Sequence, residues 1–222
     1  MVYIFSSQIT KFPPLSEADD SGLIAVGGSY SFETLYQAYI SGIFPWFDEK
    51  LYLGNKKYTF IYWYSPDPRF VIFKEDFRVG KRLARYYKTH NYKITVNKAF
   101  YQVIKSCQVV HSLKDNTWIS DEMVNGYLEF YKKGFILSIE VWENEKLVGG
   151  LYGVNIGKYF SGESMFSLKP NVSKFAFIYL ANMLFDKGYE FIDCQVYSLH
   201  FSRFGGINIP REDFITLLKS AI

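Results

Sequence analysis

Along most of the chain the apolar positions recur at one of two spacings, three to four residues or two, and the spacing switches at recognisable stop signals. Phe100, Val103, Ile104 and Cys107 fall on one helical face, with Asn97 as the expected cap. Ser120, followed by Asp121 and Glu122, predicts the start of another helix. Alternation then takes over. It predicts strands over 135–142, 147–156 and 158–164, joined by Glu143-Asn144-Glu145-Lys146 and by Gly157. The run 175–185 is apolar almost all round, which predicts a buried helix over about 173–186, stopped by Gly188. A strand over 190–196 and a last helix from about Pro210-Arg211 complete the chain. Upstream, a basic helix is expected near 76–89 and a strand over 92–96. The first 70 or so residues carry Phe12-Pro13-Pro14, Gly27-Gly28 and Phe44-Pro45-Trp46. There Ser31 caps a short helix to about Ser41, and Gly42 is its left-handed stop. Pro66 and Pro68 impose extended or turn geometry that ends the region.

Helix, helix, three-strand meander, helix, strand, helix resembles the order of the N-acetyltransferase superfold. The expectation is an α+β protein: a small N-terminal domain (1–72) and an acetyltransferase-like (GNAT-type) domain (73–222) with a mostly antiparallel, split sheet. In that superfold the acyl donor sits where the sheet splits, between the fourth and fifth strands. A fold of this kind hosts many chemistries, so the reaction has to come from the site.

Composition narrows the class. Of 222 residues 49% are hydrophobic and 20% aromatic, enough for a core and far from a disordered chain. No apolar run reaches the roughly 18 residues a spanning helix needs. The segment Met1-Val2-Tyr3-Ile4-Phe5-Ser6 has no basic stretch typical of a secretory signal, and two cysteines make no framework, so a reduced cytoplasmic protein is expected. Net charge is only +3, yet residues 74–98 hold eight bases against two acids, leaving the rest mildly acidic. One basic stripe on an acidic body points to a polyanion partner.

Several residues are candidates for chemistry. On a strand over 190–196, alternation turns Asp193 and Gln195 to one side and Cys194 to the other. Two polar groups on one face of a core strand need partners or a task; the plain alternative is a buried hydrogen-bonded pair. Glu163, ending the preceding strand, lies near them if the two strands flank the split, and could hold an ammonium or a ribose hydroxyl; otherwise it is a solvent-facing strand end. Arg78, Arg82 and Arg85 share a helix face beside Lys81, and Tyr86 and Tyr87 follow, a combination that suits a phosphate backbone with unstacked bases. Trp118, in Asn116-Thr117-Trp118-Ile119, is a candidate stacking platform or a core residue. Metal and thiol readings are weak: Cys107 and His111 lack a third ligand, and Cys194 faces away from Asp193.

These motifs, in order, resemble one family over nearly the whole chain: Phe12-Pro13-Pro14, Gly42-Ile43-Phe44-Pro45-Trp46-Phe47, Ser65-Pro66-Asp67-Pro68-Arg69, Thr117-Trp118-Ile119, Gly162-Glu163-Ser164-Met165-Phe166-Ser167 and Asp193-Cys194-Gln195. The family is that of the bacterial leucyl/phenylalanyl-tRNA–protein transferases. The resemblance implies transfer of Leu, Phe or Met from aminoacyl-tRNA to proteins with N-terminal Arg or Lys, which marks them for an ATP-dependent protease. It implies that Asp193 and Gln195 are the catalytic pair, with Gln195 holding the attacking amine and Asp193 polarising its amide, and that Glu163 is the active-site glutamate. It further implies that Trp118 lies near the donor's terminal adenosine, that Arg78, Lys81, Arg82 and Arg85 bind tRNA, and that Leu151 and Met165 line the amino-acid pocket. Two positions depart from the pattern: Tyr64 stands where a donor-side tryptophan is expected, and Leu151 where methionine is expected.

The donor ester is already activated, so no cofactor or metal is expected, and neither is a membrane or DNA partner. Two rivals remain open. An acyl-CoA-dependent N-acetyltransferase would carry a glycine-rich turn where this chain has Ser167-Leu168-Lys169-Pro170-Asn171-Val172. A tRNA-binding module without catalysis has no need of Asp193 and Gln195.

Overall fold

The computed structural model describes residues 3–6, 8–54, 56–113 and 118–222. Met1 and Val2 of the N-terminal segment, and Asn116 and Thr117 of the tryptophan motif, lie outside the described residues. The chain opens with β1 (Tyr3–Phe5), β2 (Leu23–Gly27), α1 (Phe32–Ile40), β3 (Phe44–Leu53) and β4 (Lys56–Tyr64). It continues with β5 (Arg69–Phe73), α2 (Lys81–Thr89), β6 (Lys93–Val96), α3 (Phe100–Ser112) and α4 (Asp121–Lys132). The meander is β7 (Ile136–Glu143), β8 (Lys146–Ile156) and β9 (Tyr159–Ser167), followed by α5 (Val172–Asp186), β10 (Phe191–Asp193), α6 (Leu199–Ser202), β11 (Ile207–Ile209) and α7 (Arg211–Ala221).

The strands form two sheets, a four-stranded one in the order β1-β2-β4-β3 and a seven-stranded one in the order β11-β5-β10-β9-β8-β7-β6. Neither the first sheet nor the pairing of β5 was expected from the apolar pattern, because aromatic-rich strands with prolines do not alternate cleanly. The expected division at residue 72 falls inside β5, which pairs with β10 and β11 in the larger sheet. The capping expectations hold at Ser31 and Ser120, whose side chains accept from Thr34 N and Met123 N. They fail at Asn97. Its backbone is left-handed (φ 54°), its side-chain oxygen takes the Ser138 N–H, and α3 begins after Ala99. The basic helix also starts later than expected, at Lys81, so Arg78 precedes it and does not share its face.

Apolar side chains cover both faces of the large sheet. Tyr152, Val154 and Tyr159 pack on one side with α3, α4, α7 and the first sheet. Leu151, Phe160 and Ile192 pack on the other with α5. The first face is thus one continuous core across both sheets, from Ile24 and Trp63 to Phe100 and Phe214. Gly42 ends α1 at φ 76°, and a Cβ there would come within 2.5 Å of Ile215 Cδ1 of α7. Only glycine accepts both demands.

Candidate active site

The large sheet opens between β9 and β10. These two strands run parallel but share a single register pair, Asp193 with Ser161. After Asp193 the chain parts from β9 while Cys194 and Gln195 stay hydrogen-bonded to Phe70 of β5, and Gln195 takes a left-handed conformation at φ 64°. The strand expected over 190–196 is therefore three residues long, and the shared-face argument for Asp193 and Gln195 does not hold. The two are brought together differently: the Gln195 backbone N–H donates to Asp193 Oδ1 at 2.8 Å.

Glu163 owes its direction to a bulge in β9. The ladder with β8 passes from Tyr152–Ser164 to Gly153–Gly162 and leaves Glu163 as the extra residue. A bulge places two consecutive side chains on one face. Here Glu163 meets Tyr127 of α4, while Ser164 meets His111 of α3 at 3.1 Å. The Tyr127 hydroxyl donates to Glu163 Oε2 at 2.8 Å and is itself bonded to Tyr39. Gln195 Nε2 donates to Glu163 Oε1 at 3.0 Å and to Ser161 Oγ at 3.1 Å. Burial raises the Glu163 carboxyl to about 7, against the opposing pull of the two tyrosine hydroxyls. Holding both Gln195 amide protons fixes that side chain and leaves its oxygen an acceptor with no donor among the described residues; the same bonds assign which end of the amide is which.

Asp193 is fully buried, as is Arg69 of β5. Arg69 Nε reaches Oδ1 at 2.9 Å and Nη2 reaches Oδ2 at 2.6 Å, a two-pronged ion pair. The Tyr159 hydroxyl adds a bond to Oδ2 at 2.6 Å. With the Gln195 N–H this saturates the carboxylate, so Asp193 anchors the backbone of Gln195 rather than polarising its side-chain amide. The Arg69 guanidinium also donates to the Gly42 carbonyl at 3.1 Å and lies over the rings of Phe44 and Phe214. Desolvation works against its charge, and Asp193 more than offsets this, so its pKa is raised. Arg69 stands out only in the fold, because its partner lies 124 residues away in sequence.

A cavity of about 520 Å³ fills the split. Leu151, Met165, Phe160 and Phe177 line it with Glu163, and Trp118 stands at its exposed rim, its ring 4.4 Å from that of His111. Leu151 and Met165 face each other across β8 and β9. Beside it runs a wider groove of about 1000 Å³ lined by Lys81, Arg82 and Arg85, together with Lys174 and Arg203, which the sequence had not suggested. His200 lines both. Arg78 is exposed but lines neither, and Tyr64 packs against Trp46 and Phe47 away from both. Burial pushes the Cys107 thiol up to about 12 and Cys194 well above its ordinary value, so neither is a ready nucleophile. Among the described residues no group of three His, Cys, Asp or Glu could hold a metal, and no helix is long and apolar enough to cross a membrane.

The site is thus a buried acid at the split of a mixed sheet with a basic groove beside it. Residues 71–219 match the family model described as leucyl/phenylalanyl-tRNA protein transferase, and residues 28–67 match the model of its N-terminal domain. The chain is 45% identical to a leucyl/phenylalanyl-tRNA–protein transferase of Flavobacterium johnsoniae, covering 99% of this chain and 100% of that one. It is 43% identical to one from Lawsonia intracellularis, covering 100% and 94%. The chain belongs to the leucyl/phenylalanyl-tRNA–protein transferase family and is an aminoacyltransferase.

Proposed function

We propose that this enzyme takes Leu, Phe or Met from aminoacyl-tRNA and joins it to the N-terminal Arg or Lys of acceptor proteins, in the cytoplasm, so marking them for degradation by the N-degron pathway. The observation that carries the reading is an apolar cavity with one carboxylate, opening beside a basic groove that has no acid among its described lining residues. The cavity suits an apolar side chain and a terminal nucleoside; the groove suits the phosphates that follow. Trp118 at the rim is the stacking surface for the adenine.

The reaction replaces an ester by an amide. The acceptor's α-amine attacks the aminoacyl carbonyl, the ribose hydroxyl leaves, and one proton passes from the amine to that oxygen. Gln195 holds the attacking N–H through its free amide oxygen, and Glu163, charged above about 7, holds an ammonium beside it. Asp193 acts through Gln195 by fixing its backbone. Glutamine is a poor base, so these residues work chiefly by placing the amine, which alone lowers a barrier by on the order of 7 kcal/mol. Carrying the amine proton to the leaving oxygen then falls to the neighbouring ribose hydroxyl or to water.

Incubation with radiolabelled leucyl-tRNA and an Arg-starting peptide tests the reading. Labelled peptide is expected, and none with acetyl-CoA as donor. Tight tRNA binding with no labelled peptide would leave only a tRNA-binding module.

A further inference from the structure

The apolar cavity and the basic groove meet at His200. Phe201 and Phe204 hold its ring edge-on, with centroids 4.9 and 5.6 Å away. Its Nε2 is buried and meets no hydrogen-bond partner among the described residues. A buried ring nitrogen left without a partner is costly unless something outside the chain satisfies it. Burial first, then the charges of Lys174 and Arg203, lower its pKa, so the ring is neutral near pH 7. Lys174 sits half-buried in the first turn of α5, tethered by Asn171 Oδ1 at 3.0 Å, and Arg203 caps the end of α6. Neither forms an ion pair among the described residues. Two cations and an orphaned ring nitrogen thus converge where the groove becomes the cavity.

An aminoacyl donor lying in this site passes that point. Its amino acid and last nucleoside occupy the cavity, and its sugar–phosphate backbone occupies the groove. The group reaching the junction is the phosphodiester 5′ to the terminal nucleoside. Resting on the reading above, we propose that His200, Lys174 and Arg203 form a subsite for this last phosphate of the donor. His200 gives one N–H to a phosphate oxygen, and the two cations neutralise its charge. Lys81, Arg82 and Arg85 of α2 then meet phosphates farther along the strand. The subsite fixes how far the donor enters, and so where its ester lies relative to Gln195.

The test uses a hydrolysis-resistant donor end, adenosine bearing a 3′-phenylalanylamide, with and without a 5′-phosphate, titrated calorimetrically into the full-length protein. In the parent enzyme the phosphate is expected to tighten binding about tenfold, as a charge-assisted contact does. In His200→Ala, and separately in Lys174→Ala with Arg203→Ala, the gain, read as the ratio of the two probes' affinities within each variant, should shrink several-fold. His200→Gln, which keeps an N–H donor, should retain much of the gain. An undiminished gain in His200→Ala and in the double variant, or no gain in the parent, overturns the subsite. Failure of the parent to bind even the phosphate-free probe overturns the donor reading of the cavity itself.

Discussion

Burial raises the Glu163 carboxyl to about 7, so this residue is held in the protein at a cost. The unfolded chain releases that proton near 4.5, whereas the folded chain keeps it to about 7. Between those values the folded form binds more protons, so stability falls as pH rises, and the loss is complete above about 7. Glu163→Gln is neutral throughout. It should match the parent's stability at pH 4 and exceed it at pH 8, by on the order of 3 kcal/mol, in denaturant titrations. Transfer should run the opposite way, rising with pH through about 7 in the parent as the carboxylate forms, with that rise absent in the variant. Gln195 and Asp193 separate by a different measurement. Gln195→Ala removes a part-exposed side chain, so melting should barely move while single-turnover transfer falls by about 10²-fold. Asp193→Asn leaves the buried Arg69 without its counter-charge, and removing one partner of such a pair costs about 3–5 kcal/mol. Its lost activity should be accompanied by a large drop in melting temperature, and a fully stable Asp193→Asn would refute the anchoring role.

Among the elements, α2 and the β8–β9 pair carry separate tasks. Arg82 and Arg85 project from α2 into the groove, so Arg82→Glu with Arg85→Glu should weaken charged-tRNA binding and reduce its log–log salt slope by roughly 0.7 to 0.9 per lost contact. Arg78 lies ahead of the helix and outside the groove, and its substitution should change the slope much less. In the proposed reading, donor choice rests on Leu151 and Met165, the cross-strand pair in the cavity wall. Leu and Ile differ in shape and not in carbon count, so a wall against the β-carbon must do the rejecting. Competition among tRNAs charged with Leu, Phe, Met, Ile and Val should show Ile and Val well behind; equal transfer of Ile and Leu would mean the wall is missing. The elements themselves were mostly readable beforehand, because the meander alternates and α5 is apolar all round. What escaped was set by tertiary contact. Gln195 leaves its strand because Asp193 takes its N–H, Glu163 turns because of an extra residue in β9, and Arg69 is claimed by a residue far along the chain. None of these leaves a periodic trace.

Across the whole molecule the first sheet, the large sheet and α7 share one apolar core. Phe214 of α7 is fully buried in it and lies 4.4 Å from the Arg69 guanidinium. Phe214→Ala should cost about 3–5 kcal/mol and lower transfer more than tRNA affinity, since the groove lies on the far side of the sheet with α2 and α5. Equal losses in both would show that α7 supports the entire fold evenly. Arg69 has a wider consequence. Three hydrogen bonds and two aromatic contacts tie its guanidinium to Gly42 and Phe44 from the first part of the chain, Asp193 of β10, and Phe214 from the last helix. One buried cation therefore works as a coincidence detector for assembly. A full-length chain in which one of these partners is substituted or damaged has less to hold Gln195 in its left-handed turn, whereas Lys81, Arg82 and Arg85 of the groove touch none of them. Such a chain would sequester charged tRNA as a competitor instead of acting as a slow enzyme, and damage to this protein would register as inhibition of its intact copies.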